Sequence, residues 1–334
     1  MAVVRITIPN WGDTVSGDAA DNILYGTVGH DTMLGRGGDD WLIGGVGNDI
    51  LNGGSGDDLL VGYNATVSAI DRLNGDGTRD IGYEVSDLGT PGDGDDRLIG
   101  DLGSDVLIGG YGADTLTGGE GGDILLGYNA TFARFTTYDA EGHAIGGSGS
   151  IGRSGPMDTS SDRLYGGLGD DMLAGGGGND YLSGDEDDDT LIGDEGRDTL
   201  LGGDGDDVLH GDELDSSVAG DNDVLFGGAG ADRFVFGGLG EEGVTPVFGN
   251  DVVRDFSSAA GDVVDLTAFA GLTFADLTIT RSANLDVNGD GVADGRWGVL
   301  VTSTGFSGGD SISFIGIRGL SAGDFLFADN VMLA

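Results

Sequence analysis

The chain has 334 residues, of which 71 are glycine and none is cysteine, and its formal net charge at pH 7 is −45. The lack of cysteine excludes disulfides and zinc–thiolate sites, and the negative charge argues against nucleic acid or an anionic lipid surface as a partner. No segment approaches the ~20 apolar residues of a membrane-spanning helix, so we expect no membrane span.

Residues 1–15 are predicted to form one strand that caps the fold at its start. They contain no long apolar stretch and no cleavage site for a secretion signal. If the protein leaves the cell, we therefore expect that it does not use a cleaved N-terminal signal.

A nine-residue repeat, G-G-x-G-x-D-x-U-x with U apolar, occupies most of residues 16–236, and Gly53–Val61 matches it in full. Asn22 holds the aspartate position of the first of 17 repeats. This period predicts an all-β fold, a right-handed parallel β-roll that binds calcium. The predicted ligands at position 6 are Asp31, Asp40, Asp49, Asp58, Asp96, Asp105, Asp114, Asp123, Asp162, Asp171, Asp180, Asp189, Asp198, Asp207, Asp223 and Asp232.

Each repeat is predicted to form a turn over its first six residues and a short strand over its last three. Glycine at positions 1, 2 and 4 permits backbone conformations that a Cβ atom would forbid, and turns carbonyl oxygens inward. Two repeats complete one coil, so each aspartate stacks on the aspartate 18 residues later. A hard cation that requires six to eight oxygens fits between the stacked turns. We therefore predict multiple bound Ca²⁺ ions.

Calcium also accounts for the charge of the chain. A continuous roll of 17 repeats contains 15 stacked pairs. With one Ca²⁺ ion at each pair, the ions would together add a charge of about +30. This would leave roughly a third of the formal charge of −45. Position 8 is predicted to point into the coil and to form a thin leucine core, made of Leu42, Leu51, Leu60, Leu98, Leu107, Leu116, Leu125, Leu164, Leu173, Leu182, Leu191, Leu200, Leu209 and Leu225.

Three insertions interrupt the repeats, at about residues 62–90, 127–160 and 211–220. The two long insertions begin alike, with Gly-Tyr-Asn-Ala-Thr at Gly62 and at Gly127. All three precede odd-numbered repeats when Asn22 is counted as zero, so we expect them to leave from one edge of the roll. Loops on a rigid scaffold commonly carry binding, which makes that edge the predicted working surface.

Residues 237–334 are predicted to form a β-rich C-terminal cap, in which Gly298–Thr302 and Ser311–Ile315 alternate as strands do. A second kind of calcium loop is predicted there, because oxygen side chains occupy loop positions 1, 3, 5 and 9 with glycine at position 6. Trp297 stands where such a loop usually has a bidentate glutamate, and a plain polar turn is the alternative. The predicted ligands of this loop are Asp286, Asn288, Asp290 and Asp294.

No catalytic residue is predicted. The three histidines, His30, His143 and His210, share no spacing that is typical of a catalytic or metal site. Ser307 lies in a G-x-S-x-G pattern, but no strand-to-helix context and no base accompany it. A flexible turn is the better interpretation of that segment, and we do not expect an enzyme.

The repeats resemble those of the RTX, or haemolysin-type calcium-binding, proteins. Gly249–Leu266 resembles the C-terminal region that follows the roll in serralysin-type secreted proteases, and Asp324–Ala334 is similar to the tail of type I secretion substrates. The resemblance implies export from a Gram-negative bacterium by a type I secretion exporter, with folding outside the cell, where calcium is abundant. The chain departs from the serralysins because it lacks an H-E-x-x-H motif and has only 15 residues before the roll.

We therefore expect a secreted, calcium-binding, non-catalytic protein, extracellular or at the cell surface, with a structural or adhesive role toward the matrix or another surface protein. The alternative is a calcium-dependent module that binds surface polysaccharide through the inserted loops. Irregular side chains at strand positions 7 and 9 argue against an ice-binding surface. The aromatic residues that would either stack on sugars or pin the loops to the roll are Tyr63, Tyr83, Tyr128, Phe132, Phe135 and Tyr138.

Overall fold

The computed structural model describes residues 4–7, 14–73, 79–86, 94–128, 130–138, 144–153, 159–212, 221–237, 248–285, 295–306 and 310–328. Within these ranges the regular structure is 29 strands and two 3-10 helices, Phe274–Asp276 and Ala322–Asp324, so the all-β prediction is confirmed. The chain divides into two compact units. The first unit comprises Met1–Leu116 and Leu126–Asp158, and the second comprises Thr117–Leu125 and Thr159–Ala334.

The first unit contains most of the roll strands before the second insertion, together with both long insertions. Its strands are β1 (Val4–Thr7), β2 (Thr14–Ser16), β3 (Asn22–Tyr25), β4 (Thr32–Gly37), β5 (Trp41–Gly45), β6 (Ile50–Ser55), β7 (Leu59–Tyr63), β8 (Thr66–Leu73), β9 (Arg79–Ser86), β10 (Arg97–Leu102), β11 (Val106–Gly110), β14 (Ala130–Tyr138) and β15 (Ala144–Arg153). Two further strands, β12 (Thr115–Glu120) and β13 (Ile124–Tyr128), have residues in both units.

The second unit contains the remaining repeats and the C-terminal region. Its strands are β16 (Arg163–Leu168), β17 (Met172–Gly177), β18 (Tyr181–Glu186), β19 (Thr190–Glu195), β20 (Thr199–Asp204), β21 (Val208–His210), β22 (Val224–Ala229), β23 (Arg233–Val235), β24 (Asn250–Val253), β25 (Val263–Asp265), β26 (Leu277–Leu285), β27 (Arg296–Ser303), β28 (Ser311–Ile315) and β29 (Phe325–Leu326).

Alternate strands of the first unit form two parallel sheets, with the orders β1-β3-β5-β7-β11 and β2-β4-β6-β10. Equivalent residues pair one coil apart, as Leu42 does with Leu60. Where the first insertion intervenes, Leu51 still pairs with its equivalent, Leu98. The insertion therefore leaves the coil unbroken, and the predicted parallel β-roll is confirmed.

The strands are longer than the sequence predicted. Most of them have five or six residues rather than three, because pairing continues from position 7 through the first positions of the next repeat. In β6 and β10 this continuation pairs Gly54 with Asp101. The turn that remains between two strands is correspondingly short. At the start of the chain the structure has two strands, β1 beside β3 and β2 beside β4, rather than the single predicted strand, because each coil supplies one strand to each sheet.

The leucine core is confirmed. All 14 leucines predicted at position 8 have no exposed side-chain surface. Leu24 and Met33 occupy the same position in the first two repeats and are equally buried. The interior of each coil therefore holds one large apolar side chain per repeat, which is a thin core for a chain of this length.

The two long insertions form one antiparallel sheet within the first unit. Strands β8 and β9 of the first insertion pair with each other, as do β14 and β15 of the second, and β9 pairs with β14. The Tyr83 ring lies 5.7 Å from the Trp41 ring and 5.9 Å from the Phe132 ring, and the Tyr63 hydroxyl donates to the Ala130 carbonyl at 2.8 Å. The sheet thus packs against the β5–β7 face of the roll, where Val61 is fully buried.

In the second unit the parallel sheets continue beyond the last repeat. One has the order β17-β19-β21-β23-β25-β29, and the other has the order β16-β18-β20-β22-β24-β28 and is extended by β27 and β26. The predicted strands at Gly298–Thr302 and Ser311–Ile315 are β27 and β28. Phenylalanines replace leucine in this core, and the Phe248 ring lies 5.5 Å from Phe236, 5.8 Å from Phe269 and 5.0 Å from Phe306.

Candidate metal centres

The repeated aspartates form a hydrogen-bonded ladder in each unit, because the backbone N–H of one donates to Oδ1 of its equivalent one coil later. In the first unit the pairs are Asn22 with Asp40, Asp31 with Asp49, Asp40 with Asp58, Asp49 with Asp96, Asp58 with Asp105, and Asp96 with Asp114, at 2.6–2.8 Å. In the second unit they are Asp123 with Asp171, Asp162 with Asp180, Asp171 with Asp189, Asp180 with Asp198, Asp189 with Asp207, Asp198 with Asp223, and Asp207 with Asp232, at 2.7–3.2 Å.

All 16 predicted aspartates of the repeats are at least 96% buried. Many of them keep a second carboxylate oxygen, Oδ2, that is buried and has no hydrogen-bond partner. A buried polar atom without a partner is costly, and a buried charge without a counter-charge is more so. The aspartates with such an Oδ2 atom include Asp40, Asp49, Asp58, Asp171, Asp189, Asp198, Asp207, Asp223 and Asp232.

Burial makes these carboxylates hard to ionise. It raises the pKa of Asp40 to about 6, that of Asp49 to about 7 and that of Asp58 to about 8. The hydrogen bond that each carboxylate accepts from a backbone N–H lowers the pKa, but by less than burial raises it. In the second unit, burial likewise raises the pKa of Asp171 to about 7 and that of Asp189 to about 8. A cation beside Oδ2 would remove this penalty, because it stabilises the charged form.

Glycine is required in the repeat for two separate structural reasons, which apply at different positions. At positions 2 and 4 the backbone is left-handed, as at Gly45 (φ 114°) and Gly47 (φ 127°). Position 1 has no such φ, which corrects the prediction for that position. A Cβ atom on Gly44 would instead lie 2.5 Å from Asp49 Oδ2 and 2.4 Å from the Gly62 carbonyl oxygen. Glycine at position 1 therefore makes room for a carboxylate and for the backbone of the next coil.

This donor set fits calcium. The ladder offers carboxylate oxygens with carbonyl oxygens beside them, and the chain has no cysteine to supply a thiolate. Asp40 Oδ2 and the Gly53 carbonyl oxygen both lie within 2.5 Å of the point that a Cβ on Gly35 would occupy. Hard cations such as Ca²⁺ prefer such all-oxygen surroundings. The repeated aspartates are therefore the residues that would hold the ions.

The ladder extends two steps past the last repeat, which the sequence analysis missed. The Asp223 N–H donates to Asp251 Oδ1 at 3.0 Å, and the Asp232 N–H donates to Asp262 Oδ1 at 3.3 Å. Both acceptors are buried. The signal was present in the sequence, because each is followed two residues later by a fully buried valine, as Asp251 is by Val253. Of the glycines that make the repeat conspicuous, these two steps keep only Gly249, at position 4 before Asp251.

A third carboxylate joins the ladder in the second unit. Asp212, Asp223 and Asp251 are all buried, and one ligand oxygen from each lies within 4.8 Å of the others. Asp212 follows Gly211 at the start of the third insertion, and its Oδ1 accepts the Asp221 N–H at 3.3 Å. The repeat pattern gave no signal for Asp212, because the insertion interrupts the repeat at this point.

Several other predicted residues lie outside the part of the chain that the structure describes. These are the four ligands of the second calcium loop, Asp286, Asn288, Asp290 and Asp294, together with Ser307, His143 and residues 329–334 of the tail. His30 is exposed and has its Nδ1 3.1 Å from the Asn48 carbonyl oxygen. His210 is buried with its Nδ1 2.5 Å from the Asp212 carbonyl oxygen, and burial lowers its pKa. Both histidines thus have backbone partners.

The sequence of the chain matches one protein-family model, described as the RTX calcium-binding nonapeptide repeat. No curated protein matches the chain. The matched segments cover just over half of the chain and leave out most of both long insertions and everything after residue 240; they are residues 12–42, 34–64, 90–125, 158–191, 183–215 and 219–240.

Nonapeptide repeats of this kind bind several Ca²⁺ ions, and the buried aspartate ladder agrees with that property. Proteins that carry them are typically secreted by Gram-negative bacteria. Among the described residues, no helix has the length and apolar character needed to cross a membrane. From its repeats and their coverage, the chain is a calcium-binding member of the RTX nonapeptide repeat family.

Proposed function

We propose that the protein is a secreted, non-catalytic scaffold that folds on binding calcium and has a structural or adhesive role at the cell surface or in the matrix. The observation that carries this proposal is the buried carboxylate ladder with its unpartnered Oδ2 atoms. An interior lined with carboxylates is stable when cations neutralise it and unstable when they are withdrawn.

In this proposal the repeated aspartates hold the ions, and Asp251 and Asp262 continue the series. Each ion supplies positive charge between two successive coils and so links them. The leucine core provides one buried side chain per repeat, and the metal links supply the rest of the cohesion. Folding free energy then comes largely from metal binding, as it does in other small-core metalloproteins.

Export through a type I secretion exporter fits this dependence on calcium. A chain with 59 acidic and 14 basic residues repels itself when calcium is scarce and stays unfolded inside the cell. Outside, millimolar calcium drives folding. The segment that resembles the serralysin C-terminal region, Gly249–Leu266, contains β24 and β25, which extend the two sheets of the second unit. We assign it the role of a cap for the roll.

A calcium titration of the purified chain tests the proposal. We expect a β-rich circular dichroism signal and a compact elution volume to appear together at roughly 10⁻⁴–10⁻³ M calcium, the range of extracellular modules. Excess EGTA should reverse both signals, and the same concentration of Mg²⁺ should not replace calcium, since Mg²⁺ demands a smaller octahedral site. A chain that stays compact and protease-resistant in EGTA would contradict the proposal.

The second candidate function is binding of anionic polysaccharide, and one observation favours a particular binding site for it. Tyr63 and Phe132 of the insertions are buried against the roll, so they are not free to stack on sugars. A cleft of about 440 Å³ in the second unit is instead lined by Arg281, Trp297 and Arg318. Guanidinium groups pair with carboxylates in a bidentate manner, and the Trp297 side chain is 51% exposed. Such a cleft suits a carboxylated sugar.

Binding of uronate oligosaccharides to the calcium-loaded chain tests this candidate. Replacing Arg281 and Arg318 together by alanine should weaken binding by about tenfold or more, because it removes two charge-assisted contacts. Arg36→Ala is the matched control, since Arg36 is exposed in the first unit. Equal binding by the double variant and the control would exclude the cleft as the site.

A further inference from the structure

The Asp212, Asp223 and Asp251 cluster differs from the repeated positions of the ladder. At a repeated position, an aspartate is followed by its equivalent one coil later. Asp251 has no such successor, because the register between β24 and β28 places Ile312 opposite it. At this end of the ladder the additional carboxylate comes from Asp212, which precedes Asp223 by a whole insertion.

The oxygens of the cluster point to a ligand. Asp223 and Asp251 are at least 99% buried, and each has an Oδ2 atom without a hydrogen-bond partner. Burial, together with the negative charge of Asp212, raises the pKa of both Asp223 and Asp251 well above the usual value. Three buried carboxylates this close carry a charge that only protons or a cation can offset.

The groups around the cluster are mostly negative. Asp221, Asp198 and Asp310 add negative charge beside Asp212, while the positive charge of Arg197 has the smallest of the effects on the pKa of Asp223. Backbone N–H groups hold the carboxylates in place, since the Asp198 N–H donates to Asp223 Oδ1 at 2.8 Å. This fixed arrangement of acidic oxygens is pre-organised for a divalent cation.

We propose that Asp212, Asp223 and Asp251 bind one Ca²⁺ ion more tightly than the repeated positions do, and that this ion fastens the third insertion and the C-terminal strands to the last coils. The inference rests on the calcium-dependent scaffold proposed above. Its physical basis is the number of carboxylates, because affinity at calcium sites rises with ligand charge. The ion would join three segments: Asp212 after β21, Asp223 before β22, and Asp251 within β24.

A consequence is an order of events during folding. The tight ion binds first as calcium rises, and it brings β24 into register with β22, since Val252 pairs with Val224.

The test is a comparison of two isosteric variants by competition with a chromophoric calcium chelator, using the full chain. In the wild type we expect one ion about tenfold tighter than the rest. Asp212→Asn should abolish the tight-binding phase of the calcium titration and leave the weaker-binding phases unchanged. Asp189→Asn is the matched variant, since it alters a repeated position, and it should weaken the weaker phases and keep the tight phase.

The outcomes separate the inference from the proposed function. A wild-type chain that binds no calcium would contradict the proposed function itself. A chain that binds many ions but has the same tightest phase in Asp212→Asn would overturn the inference alone. If Asp212→Asn does not fold in excess calcium, Asp212→Glu decides: restored folding and a restored tight phase support the inference, and failure of both variants contradicts it.

Discussion

The two carboxylate oxygens of a ladder aspartate have different partners, as Asp189 illustrates. Its Oδ1 accepts the Asp171 N–H at 2.9 Å, and its own N–H donates to Asp207 Oδ1 at 2.9 Å. Its Oδ2 is buried without a hydrogen-bond partner. The first oxygen therefore maintains the coil spacing, and the second is available to a metal. This division explains why one residue type is needed at position 6 of nearly every repeat.

Asp189→Asn should separate these two roles. The amide keeps the Oδ1 acceptor but loses the charge, so the calcium concentration at half-folding should rise roughly two- to tenfold. In EGTA the same variant should be no less stable than the wild type, because it removes a buried carboxyl whose pKa is raised to about 8. Thermal unfolding with calcium and with EGTA measures both effects. Asp188→Asn, an exposed neighbour, is the control, and a loss of stability in EGTA would contradict the prediction.

At the scale of elements, the two long insertions depend on each other. Phe132 of β14 pairs with Val85 of β9, and both side chains are buried. Burial also raises the pKa of Tyr83 to about 12, as expected for a phenol held between a sheet and the roll. Tyr83 of the first insertion and Phe132 of the second pack together beside Trp41, so the two insertions form one packed layer.

Tyr83→Ala should test this packing. Removing the ring leaves a cavity between Trp41 and Phe132, and we expect it to destabilise the calcium-loaded chain by roughly 3–4 kcal/mol, the lower part of the range for aromatic truncations. Tyr83→Phe keeps the ring and should cost much less. Urea unfolding in saturating calcium, followed by near-ultraviolet circular dichroism, measures the difference. Equal stability of the alanine and phenylalanine variants would show that the sheet does not need this contact.

At the scale of the whole molecule, protons and calcium compete for the same interior. Burial raises the pKa of Asp40 to about 6 and that of Asp58 to about 8. Without calcium, the folded state binds more protons than the unfolded state between the ordinary value of 3.8 and these raised values. The stability of the calcium-free fold therefore falls as pH rises through this window.

The calcium dependence should have the opposite sign. Because calcium binds the deprotonated carboxylates, the concentration needed for half-folding should fall as pH rises from about 6 to 8, with protons released on binding. In EGTA, the chain should be more compact at pH 5 than at pH 8. Calcium titrations by circular dichroism at constant ionic strength measure the first effect, and elution volume measures the second. A calcium midpoint that is the same at pH 6 and pH 8 would exclude the ladder as the main binding site.

The sequence by itself determined the coil. The nine-residue period placed Leu42 in the core and Asp49 in the ladder, and it placed the insertions between coils without breaking them. These features are predictable because each repeat makes the same contacts with its neighbours, so position within the period fixes the environment of a residue. The strands came out longer than predicted, since backbone pairing continues into positions that the glycines had marked as turn.

The tertiary structure decided what the period does not encode. The pairing of β9 with β14 joins segments that lie far apart in the chain, and no repeat relates their sequences. The meeting of Asp212 with Asp223 and Asp251 depends on where an insertion ends and where the C-terminal strands add to the sheet. Contacts of this kind follow from three-dimensional packing of non-repeating segments, and local sequence pattern carries no information about which segments meet.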